Sequence, residues 1–113
     1  MRQAEYKNLN EILDTIKSNR LVVLIGSTKA CGVCEAIKPR MEELLGKYSD
    51  IKEIYVYVDE VKEAAGEFMI FTVPTIIMFA EGKEVHKESR IIDFKRLEFE
   101  LSRWSEFFGE IDS

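Results

Sequence analysis

The stretch LVVLIGSTKACGVC at residues 21–34 limits what this chain can fold into more than any other. Five apolar residues in a row, rich in β-branched side chains, predict a strand buried on both faces. Small polar residues follow, and then Cys31 and Cys34, the only cysteines of the chain, at the point where a helical period begins. A helix starting near Gly32 places Cys31 at its N-terminal end, where unpaired backbone N–H groups and the macrodipole favour negative charge and lower a thiol's pKa. Cys34 then lies in the first turn on the same side, because positions three apart are neighbours. Such a pair closes and reopens a disulfide without moving the fold. Two other readings compete with this one. A closed zinc site, of which the pair would be half, needs four ligands, yet only His86 remains of the usual types, so carboxylates, a bridging ligand or a second chain would have to complete it. Two buried structural cysteines are the third reading.

The rest of the chain narrows the choice. At 113 residues it forms one domain, 1–113, large enough to bury roughly two-thirds of its unfolded surface without staples. Sixteen basic residues against 21 acidic ones leave a net charge of -5, which argues for solubility and against a nucleic-acid surface. No apolar run approaches the roughly 18 residues of a membrane span. Residues 1–8 carry charges of both signs and no apolar core, so no export signal is expected and a cytoplasmic location follows. In that reducing compartment a close cysteine pair is catalytic, sensing or metal-binding rather than structural.

Tyr6, Leu9, Ile12, Leu13 and Ile16 recur at helical spacing, and Asn8 with Glu11 has the form of a capping box, predicting a first helix to Ser18. The strand at 21–27 comes next. From Cys34 the positions Ile37, Met41, Leu44, Leu45 and Tyr48 make an apolar stripe, with Glu35, Lys38, Glu42, Glu43 and Lys47 on the wet side. A second helix is therefore expected over 32–47, kinked at Pro39. A second buried strand is expected over 53–59 and a short third helix over 60–68, weakened by Gly66. The segment 73–80 predicts a third strand that opens beside Pro74. Glu81-Gly82 then turns it into a polar edge strand over 83–90. Asp93 caps a last helix whose buried face is Ile92, Phe94, Leu97, Leu101, Trp104 and Phe108. Alternating strands and helices closed by a hairpin predict a three-layer α/β/α sandwich around a mixed sheet of four or five strands.

The landmarks together resemble a thioredoxin over nearly the whole chain. Cys-Gly-Val-Cys follows a buried strand, Pro39 lies five residues after the second cysteine, Asp59 ends the next strand, and Val73-Pro74-Thr75 opens the hairpin. The resemblance implies a cis Pro74 beside the cysteines, with Val73 presenting its backbone to an extended substrate segment. Ala30, Gly32, Phe71, Thr72, Val73 and Pro74 would form the substrate-binding rim. It also implies thiol-disulfide exchange: Cys31 attacks a substrate disulfide, and Cys34 resolves the mixed disulfide by displacing the reduced substrate. Partners would be protein disulfides and an upstream reductase or low-molecular-weight thiol. Neither cofactor nor metal is implied, and a monomer is expected.

The chain departs from the family pattern in four places. Ala30 stands where a Trp is usual, Val33 replaces the middle Pro of Cys-Gly-Pro-Cys, Ile25 replaces a buried Asp that accepts a proton from the resolving cysteine, and Tyr55 stands at that Asp's Lys partner. An apolar side chain takes no proton, so resolution by Cys34 is expected to be slower unless water or Glu35 substitutes. These departures point to a specialised protein-disulfide reductase with few partners. The alternative is a redox-sensing or weakly metal-binding adaptor. Lys29 and Lys38 are candidates for lowering the Cys31 pKa, although charges near a helix start are usually solvated. His86 reads as a surface residue, Tyr55 and Tyr57 as strand packing, and Phe71, if exposed, as an apolar contact for substrate.

Overall fold

The computed structural model describes residues 4–112. Met1, Arg2 and Gln3, which enter only the reading of the N-terminal stretch as lacking an export core, lie outside the described residues, as does Ser113. The elements in chain order are β1 (Ala4–Glu5), α1 (Leu9–Ser18), β2 (Leu21–Ser27), α2 (Gly32–Leu45), β3 (Ile51–Tyr57), α3 (Lys62–Glu67), β4 (Thr75–Ala80), β5 (Lys83–Ser89) and α4 (Phe94–Asp112). One mixed sheet of order β1-β3-β2-β4-β5 runs through the middle. Its four long strands are joined at one edge by the two-residue β1, parallel to β3.

β2 is central because every one of its seven residues is buried, and a strand apolar on both faces is stable only when both are covered. It pairs parallel with β3, Leu21 opposite Ile51, and antiparallel with β4, Gly26 opposite Thr75. The period-two alternation divides the core cleanly. Val23, Ile25, Tyr55, Tyr57, Ile76 and Met78 face Ile37, Met41 and Leu44 of α2 and Leu97 and Leu101 of α4. Val22, Leu24, Ile54, Val56, Ile77 and Phe79 face Ile12 and Ile16 of α1 and Ala64 of α3. This is the sandwich that the residue pattern predicts.

Local signals behave as their chemistry requires. The Asn8 side chain caps α1 by accepting the Glu11 N–H at 2.9 Å, and Asp93 accepts the Arg96 N–H at 3.1 Å at the start of α4. Glu81 and Gly82 both take positive φ, 51° and 83°, as a tight hairpin turn demands. Pro39 lies inside α2 without ending it.

Five elements differ in their bounds from expectation, β5 only by ending at Ser89 rather than at 90. The second buried strand occupies Ile51–Tyr57 rather than 53–59, because the Glu60 and Val61 N–H groups turn back onto the Tyr57 carbonyl. Asp59 consequently lies in the turn after β3. Val61 caps a third helix of only six residues. α2 stops at Leu45, where Lys47 and Tyr48 make tighter bonds three residues back. β4 begins at Thr75, one residue past the proline, which has no N–H to give to a ladder.

Candidate functional site

β2 delivers the chain to the sheet's C-terminal end at Ser27, and a turn closed by the Cys31 N–H on the Thr28 carbonyl leads into α2. The loop is tied sideways, its Lys29 N–H donating to the Asp59 carboxylate at 3.3 Å. Cys31 is the N-cap of α2 in extended conformation, and its Sγ accepts the Cys34 N–H at 3.1 Å. The sulfur thus occupies the place a Ser or Asp oxygen takes at other helix starts, among N–H groups that favour negative charge. Cys31 and Cys34 are joined as a disulfide, with Cα atoms 5.3 Å apart. Cys31 is partly exposed, whereas Cys34 is wholly buried.

The register brings the proline loop to the same place. Gly26 of β2 lies opposite Thr75 of β4, so Pro74 emerges beside the loop that carries the cysteines. The Val73–Pro74 peptide bond is cis. The loop is pinned on both sides: the Thr75 hydroxyl donates to the Thr72 carbonyl at 2.6 Å, and the Arg90 N–H donates to the Pro74 carbonyl at 2.8 Å. Lys87 Nζ donates to the carbonyls of Phe68 and Met69, at 3.0 and 2.8 Å, which fixes the approach to Phe71.

Of the residues anticipated for the rim, Ala30 and Gly32 are exposed, Thr72 and Val73 are half-buried, and Pro74 is buried. Phe71 is 82% exposed, and Val33 beside the cysteines is also open. Ile91, 88% exposed and next to the Arg90 that holds Pro74, was not anticipated. The Ile91-Ile92 pair before the Asp93 cap has the look of helix-start packing, which hides it.

Two expectations need correction. His86 is not a free surface residue: its Nε2 lies 2.7 Å from Glu88 Oε2, and both side chains are only 11% exposed. Lys38 faces water only in part, its side chain being 29% exposed. Its Nζ donates to the Tyr57 hydroxyl at 3.0 Å, sits 4.6 Å from the Tyr55 ring centroid, and lies 3.7 Å from Glu35 Oε2. Tyr57's hydrogen bond holds the Lys38 pKa above its ordinary value, outweighing the opposing effect of burial. The Tyr55 hydroxyl is buried. Burial pushes its pKa up, with the Ser27 side chain and the Lys38 charge acting the other way. Lys29 lies against the Tyr57 ring, 4.3 Å from its centroid, and pairs with Glu60. Among the described residues no three His, Cys, Asp or Glu side chains converge on a metal position.

A dithiol pair closed across the first turn of a helix, at the end of a central strand in a mixed α/β sandwich, defines a disulfide oxidoreductase. The family model Thioredoxin matches residues 2–101, and the chain belongs to the thioredoxin family. Thioredoxin-like protein YdfQ of Bacillus subtilis (strain 168) is 34% identical over 96 residues, covering 85% of this chain and 86% of that protein. Thioredoxin H8 of Arabidopsis thaliana is 32% identical over 110 residues, covering 92% of this chain and 72% of its own length. Oxidized mitochondrial thioredoxin 3 of Saccharomyces cerevisiae superposes with a TM-score of 0.79 at 26% identity, over 88% of this chain and 93% of that one. Among the described residues no helix is long and apolar enough to cross a membrane.

Proposed function

We propose that this protein reduces protein disulfides through Cys31 and Cys34, acting as one domain over residues 1–113 on a restricted set of partners. The observation that carries the reading is the unequal exposure of the two sulfurs, with Cys31 open at the helix start and Cys34 sealed beneath it. An incoming sulfur reaches only Cys31. In the reduced protein the Cys31 thiolate attacks one sulfur of a substrate cystine, the cystine bond breaks, and the departing substrate sulfur takes a proton. Cys34 then attacks Cys31, re-forming the internal disulfide and releasing the second substrate thiol. An upstream reductase or small thiol returns two electrons to the pair.

Exposed Val33, Phe71 and Ile91 support a protein rather than a small-molecule substrate, because each offers an apolar contact to a segment flanking the cystine. Restricted range is supported by Ala30, which leaves that side of the groove without the aromatic wall expected of a general reductant. The test is turnover of a model protein disulfide with dithiothreitol as electron donor. Multiple turnovers that vanish in Cys31→Ser agree with the reading, and a rate no greater than dithiothreitol alone refutes it.

A further inference from the structure

The resolving step asks Cys34, a fully buried position in the disulfide form, to carry negative charge, which burial opposes unless a cation or donor stands near. The strand residue at this level, Ile25, is apolar and fully buried. Lys38 lies one turn further along α2. Residues four apart on a helix have Cβ atoms about 5–6 Å apart, and a long helical side chain lies back over the turn that precedes it. The contacts agree with that direction, since Nζ reaches Glu35 in the turn of Cys34, and Tyr57 at the end of β3 nearest the cysteines.

We propose that the Lys38 ammonium, anchored by the Tyr57 hydroxyl over the Tyr55 ring, stabilises the Cys34 thiolate and so sets the rate at which the mixed disulfide is resolved. Lys38 is a positioning charge and not a reacting group. In the step it serves, Cys34 loses its proton to solvent and its sulfur attacks Cys31 Sγ. The Cys31–Cys34 bond forms, the bond from Cys31 to the substrate breaks, and the substrate sulfur leaves with the electron pair and is protonated by solvent. The raised Lys38 pKa keeps the cation in place throughout the neutral range. The charged and titratable groups facing it are Glu35 from its own helix and Tyr55 and Tyr57 from β3. Lys29, paired with Glu60 and bonded through its N–H to Asp59, lies against the Tyr57 ring.

This inference rests on the proposed exchange chemistry, and the experiment separates the two. Reduced protein mixed rapidly with 5,5′-dithiobis(2-nitrobenzoate) releases one thionitrobenzoate when Cys31 attacks, at a rate that depends on reagent concentration. It releases a second when Cys34 resolves, at a rate that does not. In Lys38→Met the second phase slows about tenfold at pH 7, and its half-maximal pH rises by about one unit, as expected for losing a partly screened charge at this range. The first phase changes less than about twofold. Lys38→Arg restores the second phase, because Arg keeps the charge. Tyr57→Phe, which frees the ammonium, falls between. An unchanged second phase in Lys38→Met, or Lys38→Arg as slow as Lys38→Met, overturns the inference. No first phase in the wild type overturns the exchange chemistry itself.

Discussion

Gly26 marks the point where β2 passes the proline loop, and filling it should disturb the site from behind. A Cβ at Gly26 would lie 3.0 Å from Ile70 Cδ1, 3.6 Å from its Cγ2 and 3.7 Å from the Thr75 carbonyl oxygen. Carbon pairs prefer about 3.5–4.0 Å, so Cδ1 must retreat by about half an ångström or more. Ile70 is only 5% exposed and packed in the core, which leaves it little room, and overpacking of this kind costs about 1–3 kcal/mol. Replacing a strand glycine by alanine returns about 0.5–1 kcal/mol of chain entropy. The net destabilisation of Gly26→Ala is therefore about 0–2.5 kcal/mol. With about 2.1 cal/mol/K of unfolding entropy per residue over 113 residues, each kcal/mol lowers Tm by about 4 °C. Ile70→Val deletes the offending Cδ1 and alone costs about 0.5–1.5 kcal/mol. The double variant should be more stable than the sum of the two by about 1 kcal/mol, since the new methyl fills the space vacated. Urea unfolding of the four proteins measures this directly. Strict additivity, or a Gly26→Ala protein more stable than wild type, would refute the packing account of how β2 sets the loop beside the cysteines.

Other expectations follow from single contacts. Met41→Ala, at a position with no exposure, should lose about 2–5 kcal/mol in urea unfolding, and a loss below about 1 kcal/mol would place Met41 outside the core. Phe71→Ala should leave stability within about 0.5 kcal/mol while slowing turnover of a protein disulfide several-fold, with reaction toward a small aromatic disulfide unchanged; equal slowing of both would deny it a substrate contact. Lys38 and Tyr55 both hold their protons more tightly in the fold than at their ordinary values of 10.5 and 10.0. Above about pH 10 the unfolded chain sheds these protons first, so stability should be fully present below that pH and fall as pH rises through the folded values. Urea midpoints from pH 8 to 11.5 check the sign, Lys38→Met and Tyr55→Phe should each flatten the fall, and midpoints that climb through this range would contradict it.

How far the amino-acid sequence discloses this fold depends on how local the cause is. The strand at 21–27 and the capped start at Asn8 are legible because apolar runs and short polar caps act within a few residues. The cysteine pair at the helix start is legible for the same reason. Lys38 is not, since a helical wheel assigns it to water, and only the pairing of β3 beside β2 brings two tyrosines under its four-carbon stem. His86 is misread likewise: its partner Glu88 lies two residues away on the same strand face, a spacing that a polar edge strand gives no reason to single out. Ile91 gains its exposure from Arg90, which takes a positive φ of 69° and turns the chain over the Pro74 carbonyl. The end of β3 moved because turn bonds onto Tyr57 compete with continuing a strand of equally suitable residues.

The exchange chemistry turns on which sulfur meets the substrate. Reduced Cys34→Ser protein, incubated with a protein disulfide and quenched in acid, should accumulate a mixed disulfide that peptide mapping assigns to Cys31, while Cys31→Ser should trap none. A mixed disulfide carried equally by Cys34 in the Cys31→Ser protein, or none in either variant, would contradict it.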